Sequence, residues 1–102
     1  MPNSKNTTWV VCCVCWETKS GREPEIKHCY GRSYRNENYA RDRYSCMVDD
    51  LIEKGFSIKK LKVPDREEYE GIRAHASSSV SGRDSDVYYV IYIDRNPVWH
   101  RD

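Results

Sequence analysis

At 102 residues the chain has room for one domain and for no second core of useful size. With 38 % apolar and 32 % charged residues it is too polar for a membrane protein, while three tryptophans and eight tyrosines supply aromatic mass for a compact core and exclude a wholly disordered chain. The 17 lysines and arginines almost balance the 16 acidic residues, and a formal charge of +1 gives no global field toward nucleic acid or anionic lipid, so any electrostatic recognition must be local.

Residues 1–8 lack the basic region, apolar stretch and small-residue cleavage site of a secretory signal. The longest apolar run, near Trp9 to Trp16, falls short of the roughly 18 residues that cross a bilayer. These features lead us to expect a small soluble cytoplasmic protein, a single domain over 1–102, with no membrane partner and with 1–7 and 95–102 as flexible or loosely docked ends.

From Thr8 to Glu17 both alternating sets are apolar, Trp9, Val11, Cys13 and Cys15 on one side and Val10, Cys12, Val14 and Trp16 on the other. That pattern predicts a central strand covered on both faces. Lys19 to Pro24 has turn chemistry, and the alternation of Ile26, His28 and Tyr30 predicts a return strand over 25–30. Asn36 or Asn38 can cap a helix with apolar positions Ala40, Tyr44, Met47, Val48, Leu51 and Ile52, ended by Gly55 as a left-handed cap.

Ser57 to Val63 reads as an edge strand, its lysines at 59, 60 and 62 discouraging pairing with other chains, and Pro64 closes it. Asp65 to Glu68 matches a capping box for a short helix through Tyr69. Over 72–80 an alternating pattern competes with a longer helix and is read as a strand. Ser81 to Asp86 forms a polar turn, and Val87 to Ile93 is a second central strand. The tail from Asp94, with Pro97, Trp99 and His100, is too short to fold alone. The expected architecture is α+β, a small antiparallel sheet of four to five strands in the order ββαβ(α)ββ, with one main helix packed on a face.

Five cysteines are an odd number for a disulfide framework, and Cys12, Cys13 and Cys15 are crowded on one strand where neighbours point apart. They are read as reduced, buried thiols, with no metal and no cofactor, because C-C-x-C on an apolar strand offers no second ligand pair of zinc spacing. His28 and Cys29 would point to opposite strand faces, which argues against a cysteine–histidine dyad. Glu17-Thr18-Lys19 has the form of a nuclease metal motif without the earlier acidic ligand it requires. No catalytic residue is assigned, and a non-enzyme is expected.

The segment from Tyr30 to Tyr44 interleaves tyrosine and arginine. Arginine forks pair with phosphate or carboxylate, and tyrosine offers a stackable face with a hydrogen-bonding tip. Tyr30, Arg32, Tyr34, Arg35, Arg41 and Arg43 are therefore the expected partner-binding residues, on a loop running into the first helical turns. In the competing structural reading, Tyr39 and Tyr44 pack inward and the arginines meet Glu37, Asp42 or Asp49. A second surface would be the face bearing Tyr88 and Tyr92, with Lys60 and Lys62, if the helix covers only the opposite side; the glycine–aromatic signature of RNA-recognition modules is absent.

The expected function is a small interaction module or inhibitor, such as a viral or mobile-element accessory protein, docking on a protein or protein–nucleic-acid assembly. The alternative is a nucleic-acid-binding protein for RNA or single-stranded DNA that uses the same arginines and tyrosines.

Overall fold

The computed structural model describes residues 5–19, 21–61, 69–80 and 83–99. The elements are β1 (Lys5–Lys19), β2 (Glu25–Tyr34), α1 (Glu37–Glu53), β3 (Ser57–Leu61), β4 (Glu70–Val80) and β5 (Arg83–Trp99). All pairings are antiparallel, the sheet order is β2-β1-β5-β4-β3, and α1 packs on one face. The fold is thus the small α+β type expected, in the order ββαβββ. The short helix expected from Asp65 falls outside the described residues except for Tyr69, which precedes β4 without regular structure.

Antiparallel pairing carries the strands beyond their apolar stretches. β1 and β5 pair from Lys5 opposite Trp99 to Lys19 opposite Ser85, so the backbone of 5–7 and of 95–99 belongs to the ladder. The polar turn expected over 81–86 is shorter: Val80 pairs with Arg83, and Asp84, Ser85 and Asp86 face Ser79, Ser78 and Ser77. Polar residues make this ladder because it lies past the core, where both faces meet water.

Asn36 caps α1, its side chain accepting hydrogen bonds from the backbone N–H of Asn38 at 2.8 Å and of Tyr39 at 3.3 Å. The far end closes with Gly55 at φ +86, its N–H donating to Ile52 O and that of Phe56 to Leu51 O, each at 3.0 Å. This paired-bond closure satisfies two of the last carbonyls and needs a left-handed residue at position 55. Ala40, Tyr44 and Leu51 are buried against the sheet, with Met47 and Val48 beside them, whereas Ile52 lies off the stripe and is 54 % exposed.

The sheet face under α1 takes the odd-numbered set of β1, Trp9, Val11, Cys13 and Cys15, with Ile91 and Ile93 of β5 and Ile72 and Ala74 of β4; all are buried. The even-numbered set, Val10, Cys12, Val14 and Trp16, is only half-buried. The expectation that β1 is covered on both faces is therefore corrected. One helix of 17 residues, about 25 Å long at 1.5 Å per residue, is laid across one side alone.

Burial holds the Tyr44 hydroxyl neutral, its pKa pushed up to about 12 with help from Glu70 and Tyr69; burial likewise lifts Cys13 to about 11 and, with a hydrogen bond to Cys15, Tyr89 to about 12. Raised values mean that these groups stabilise the fold fully below their ordinary values of 9.0 for the thiol and 10.0 for the phenols, and that this stabilisation is lost as pH rises through about 11 to 12. The urea midpoint should therefore fall steadily above pH 10, and less steeply in Tyr44→Phe. An unchanged midpoint up to about pH 12 contradicts the burial assigned to these groups. Two glycines should also behave oppositely. Gly55→Ala forces an L side chain into the left-handed region at a cost of ~1–2 kcal/mol, lowering Tm by roughly 4–8 °C per kcal/mol. Gly31→Ala places a Cβ 3.7 Å from Cys12 Sγ, an ordinary contact, and should leave Tm unchanged or higher.

Candidate interaction surface

β2 is an edge strand, paired with β1 on one side only. Its strand character continues through Tyr34, so the first part of the tyrosine–arginine segment is strand rather than loop. Gly31 and Ser33 are weak strand formers, yet pairing with Cys12 and Val10 carries the ladder across them. A bulge lies between Cys15 and Trp16: Cys15 pairs with His28 and Trp16 with Ile26, leaving Lys27 as the extra residue. That register sets Tyr30 opposite Cys13, Arg32 opposite Val11 and Tyr34 opposite Trp9, all on the helix side.

The chain then needs only Arg35 and Asn36 to enter α1, which folds back over the same side and brings Arg43 to Tyr30. The Tyr30 and Tyr34 hydroxyls share a hydrogen bond of 2.9 Å. Arg43 lies over the Tyr30 ring at 5.3 Å and Arg32 over the Tyr34 ring at the same distance. Each such contact contributes about 0.5–1 kcal/mol at an exposed site, enough to favour one placement of a guanidinium without neutralising it. The hydrogen bond from Tyr34 holds the Tyr30 hydroxyl below the usual phenol range, with Arg43 and Arg32 adding to this, whereas burial and the same bond push Tyr34 up.

Four of the six expected residues, Tyr30, Arg32, Tyr34 and Arg43, thus form one cluster. Arg41 is turned elsewhere, stacked over Trp9 at 5.2 Å and paired with Glu37 at 2.7 Å and Glu70 at 3.8 Å. Arg35 is exposed in the connection and stands apart from the cluster. Of the tyrosines expected to pack inward in the competing reading, Tyr44 does so and Tyr39 is 69 % exposed. Among the described residues, neither Arg32 nor Arg43 meets a carboxylate at ion-pair distance.

Beside the cluster, a hollow of about 240 Å³ opens between β2 and α1, lined by Cys13, His28, Arg43, Met47 and Tyr89 among others. Cys13 and His28 both line it, but burial, with the neighbouring thiols, keeps Cys13 protonated at neutral pH, which works against a nucleophilic thiolate. Cys29 pairs with Val14 on the other sheet face, so His28 and Cys29 do point apart. Glu17 is occupied by Lys19 and Lys27, both at 3.7 Å.

The sheet face away from α1, which no described helix covers, holds a second array. Trp16, Tyr88 and His75 stack in a row across β1, β5 and β4, with centroids 5.5 and 4.7 Å apart and planes within 22°. Tyr69 stacks on Tyr92 at 5.4 Å. Asp86 Oδ1 accepts a hydrogen bond from Ser77 Oγ at 2.7 Å and lies 2.8 Å from His75 Nε2; these bonds, Ser77 first, hold its carboxyl below the usual range. Serine and histidine share one carboxylate oxygen here, unlike the relay in which the histidine stands between the other two. A six-residue turn over 81–86 hides this array; pairing that continues to Val80 opposite Arg83 puts His75 opposite Tyr88 and Ser77 opposite Asp86. Tyr88 and Tyr92 lie on the open face as the sequence suggested, but Lys60 faces the helix side opposite Ile72, and Lys59 takes its place opposite Arg73. Lys62 lies outside the described residues.

All five cysteines are free thiols, with Cys29 and Cys46 exposed, Cys12 half-buried and Cys13 and Cys15 buried. An aromatic disulfide reagent at neutral pH should titrate Cys29 and Cys46 rapidly, Cys12 slowly, and Cys13 and Cys15 only after unfolding, as resolved by mass mapping. Fast labelling of Cys13 in the folded chain contradicts its placement under α1.

Among the described residues, no helix is long and apolar enough to cross a membrane. Comparison with protein-family models, with curated proteins and with solved structures gave no match in any of the three.

Proposed function

We propose that the chain is a small non-catalytic interaction module that docks on an acidic surface of a larger protein through Tyr30, Arg32, Tyr34 and Arg43. The observation that carries this reading is the pair of guanidiniums stacked over two mutually hydrogen-bonded tyrosines, with no carboxylate at ion-pair distance from either among the described residues. An arginine evolved only to solvate a helix or strand gains from an intramolecular carboxylate, as Arg41 does with Glu37. Arg32 and Arg43 instead make no intramolecular ion pair among the described residues while the rings restrict their motion, which lowers the ordering cost when a partner carboxylate arrives. Tyrosine and arginine are also the residue types in which interface energy concentrates.

An inhibitor or accessory protein that occupies a larger partner needs no more chemistry than this. The test uses the intact chain as immobilised bait in a lysate of the source cells, beside the double variant Arg32→Ala/Arg43→Ala. A partner captured by the native chain should lose at least about 30-fold in affinity for the variant, corresponding to about 2 kcal/mol of hot-spot energy. Its binding should change only modestly with salt, whereas phosphate contacts would weaken steeply. A partner held equally by both proteins would remove the cluster from the interface.

A further inference from the structure

We infer that the open face of the sheet, opposite α1, is a binding site for single-stranded nucleic acid. Three successive rows of side chains cross it, and successive rows are about 6.8 Å apart along the strands. The first row is the ring stack Trp16, Tyr88 and His75. The second runs from Val14 and Val90 to Arg73 and Lys59. The third holds Cys12, Tyr92 and Gly71, with Tyr69 folded over Gly71 onto the Tyr92 ring. Cations therefore stand between two sets of aromatic rings, at a spacing that an extended nucleotide chain can step.

The charges identify the ligand. Arg73 and Lys59 are directly opposite one another on neighbouring strands, an arrangement of like charges that disfavours the pairing it sits on. Both are exposed, and among the described residues neither meets a carboxylate. On this face of a second copy, Asp86 and Asp94 already have partners, and Asp84 stands at the start of β5, outside the rows that carry Arg73 and Lys59. A polyanion supplies counter-charge to both cations, and its bases extend the ring stacks, since every base has a face that stacks on an aromatic side chain. His75 is the outer ring of the first stack, fixed by Asp86, and the residue beyond it on β3 is the small, exposed Ser57, which leaves its far face open. The site lies on the sheet face opposite to Tyr30, Arg32, Tyr34 and Arg43 and does not depend on the function proposed for them.

Fluorescence anisotropy with oligouridine and oligothymidine of about 12 nucleotides, a length matched to known single-strand sites, tests this with the full chain. Two phosphate contacts predict a slope of log K against log salt of about −1.4, and Arg73→Ala or Lys59→Ala should each reduce it by about 0.7. Tyr88→Ala should weaken binding at least about fivefold, with circular dichroism recording the fold, and the two surface cation variants keep the test decisive if Tyr88→Ala unfolds. Lys54→Ala, beyond α1, should change nothing. Absence of binding below about 100 µM in low salt, an unchanged slope in both cation variants, or a sedimentation equilibrium showing the face closed by a second copy would each overturn the inference.

Discussion

One helix has to cover a five-stranded sheet whose two central strands are apolar on both sides. α1 offers a narrow stripe, Ala40, Tyr44, Met47, Val48 and Leu51, and that stripe seats on the face carrying Val11, Cys13, Ile91 and Ile93. Because side chains alternate along a strand, the choice of face decides the fate of every neighbouring residue. Cys13 is buried and its thiol held protonated, while Cys12, one position away, lies half-buried on the far side.

The same alternation builds both surfaces. On β2 it gathers Tyr30, Arg32 and Tyr34 on the helix side, where the return of the chain into α1 delivers Arg43. The edge position leaves Tyr30 and Tyr34 half-buried and Arg32 and Arg43 exposed, so the helix restrains the cluster without enclosing it. On the opposite face, the β4–β5 register aligns His75 with Tyr88 and the β1–β5 register aligns Tyr88 with Trp16, which turns three residues remote in sequence into one stack.

Much of this was legible in the residues. The strands around Trp9 to Trp16 and Val87 to Ile93 followed from β-branched and aromatic runs, and the helix from Asn36 and Gly55 with the apolar spacing between them. Strand ends were less legible, because cross-strand hydrogen bonds carry pairing through Gly31, Ser33 and the serines and aspartates near residues 77–86, where side-chain preference is weak. The tyrosine–arginine segment was visible as composition, but its sorting into Arg43 over a ring and Arg41 over Trp9 and Glu37 depends on helix phase against a particular strand register. Two-sided hydropathy showed that both faces of β1 are apolar; it held no information on how many of them the chain itself would cover.

The central claim is that α1 buries one face of the sheet and that, among the described residues, the other face is only half-buried. Acrylamide quenching of single-tryptophan variants measures this directly: Trp16→Phe/Trp99→Phe leaves Trp9 beneath the helix as the fluorophore, and Trp9→Phe/Trp99→Phe leaves Trp16 on the far face. The account predicts a quenching constant several-fold larger for Trp16 than for Trp9, which is 7 % exposed. Equal constants, or a better protected Trp16, would contradict it.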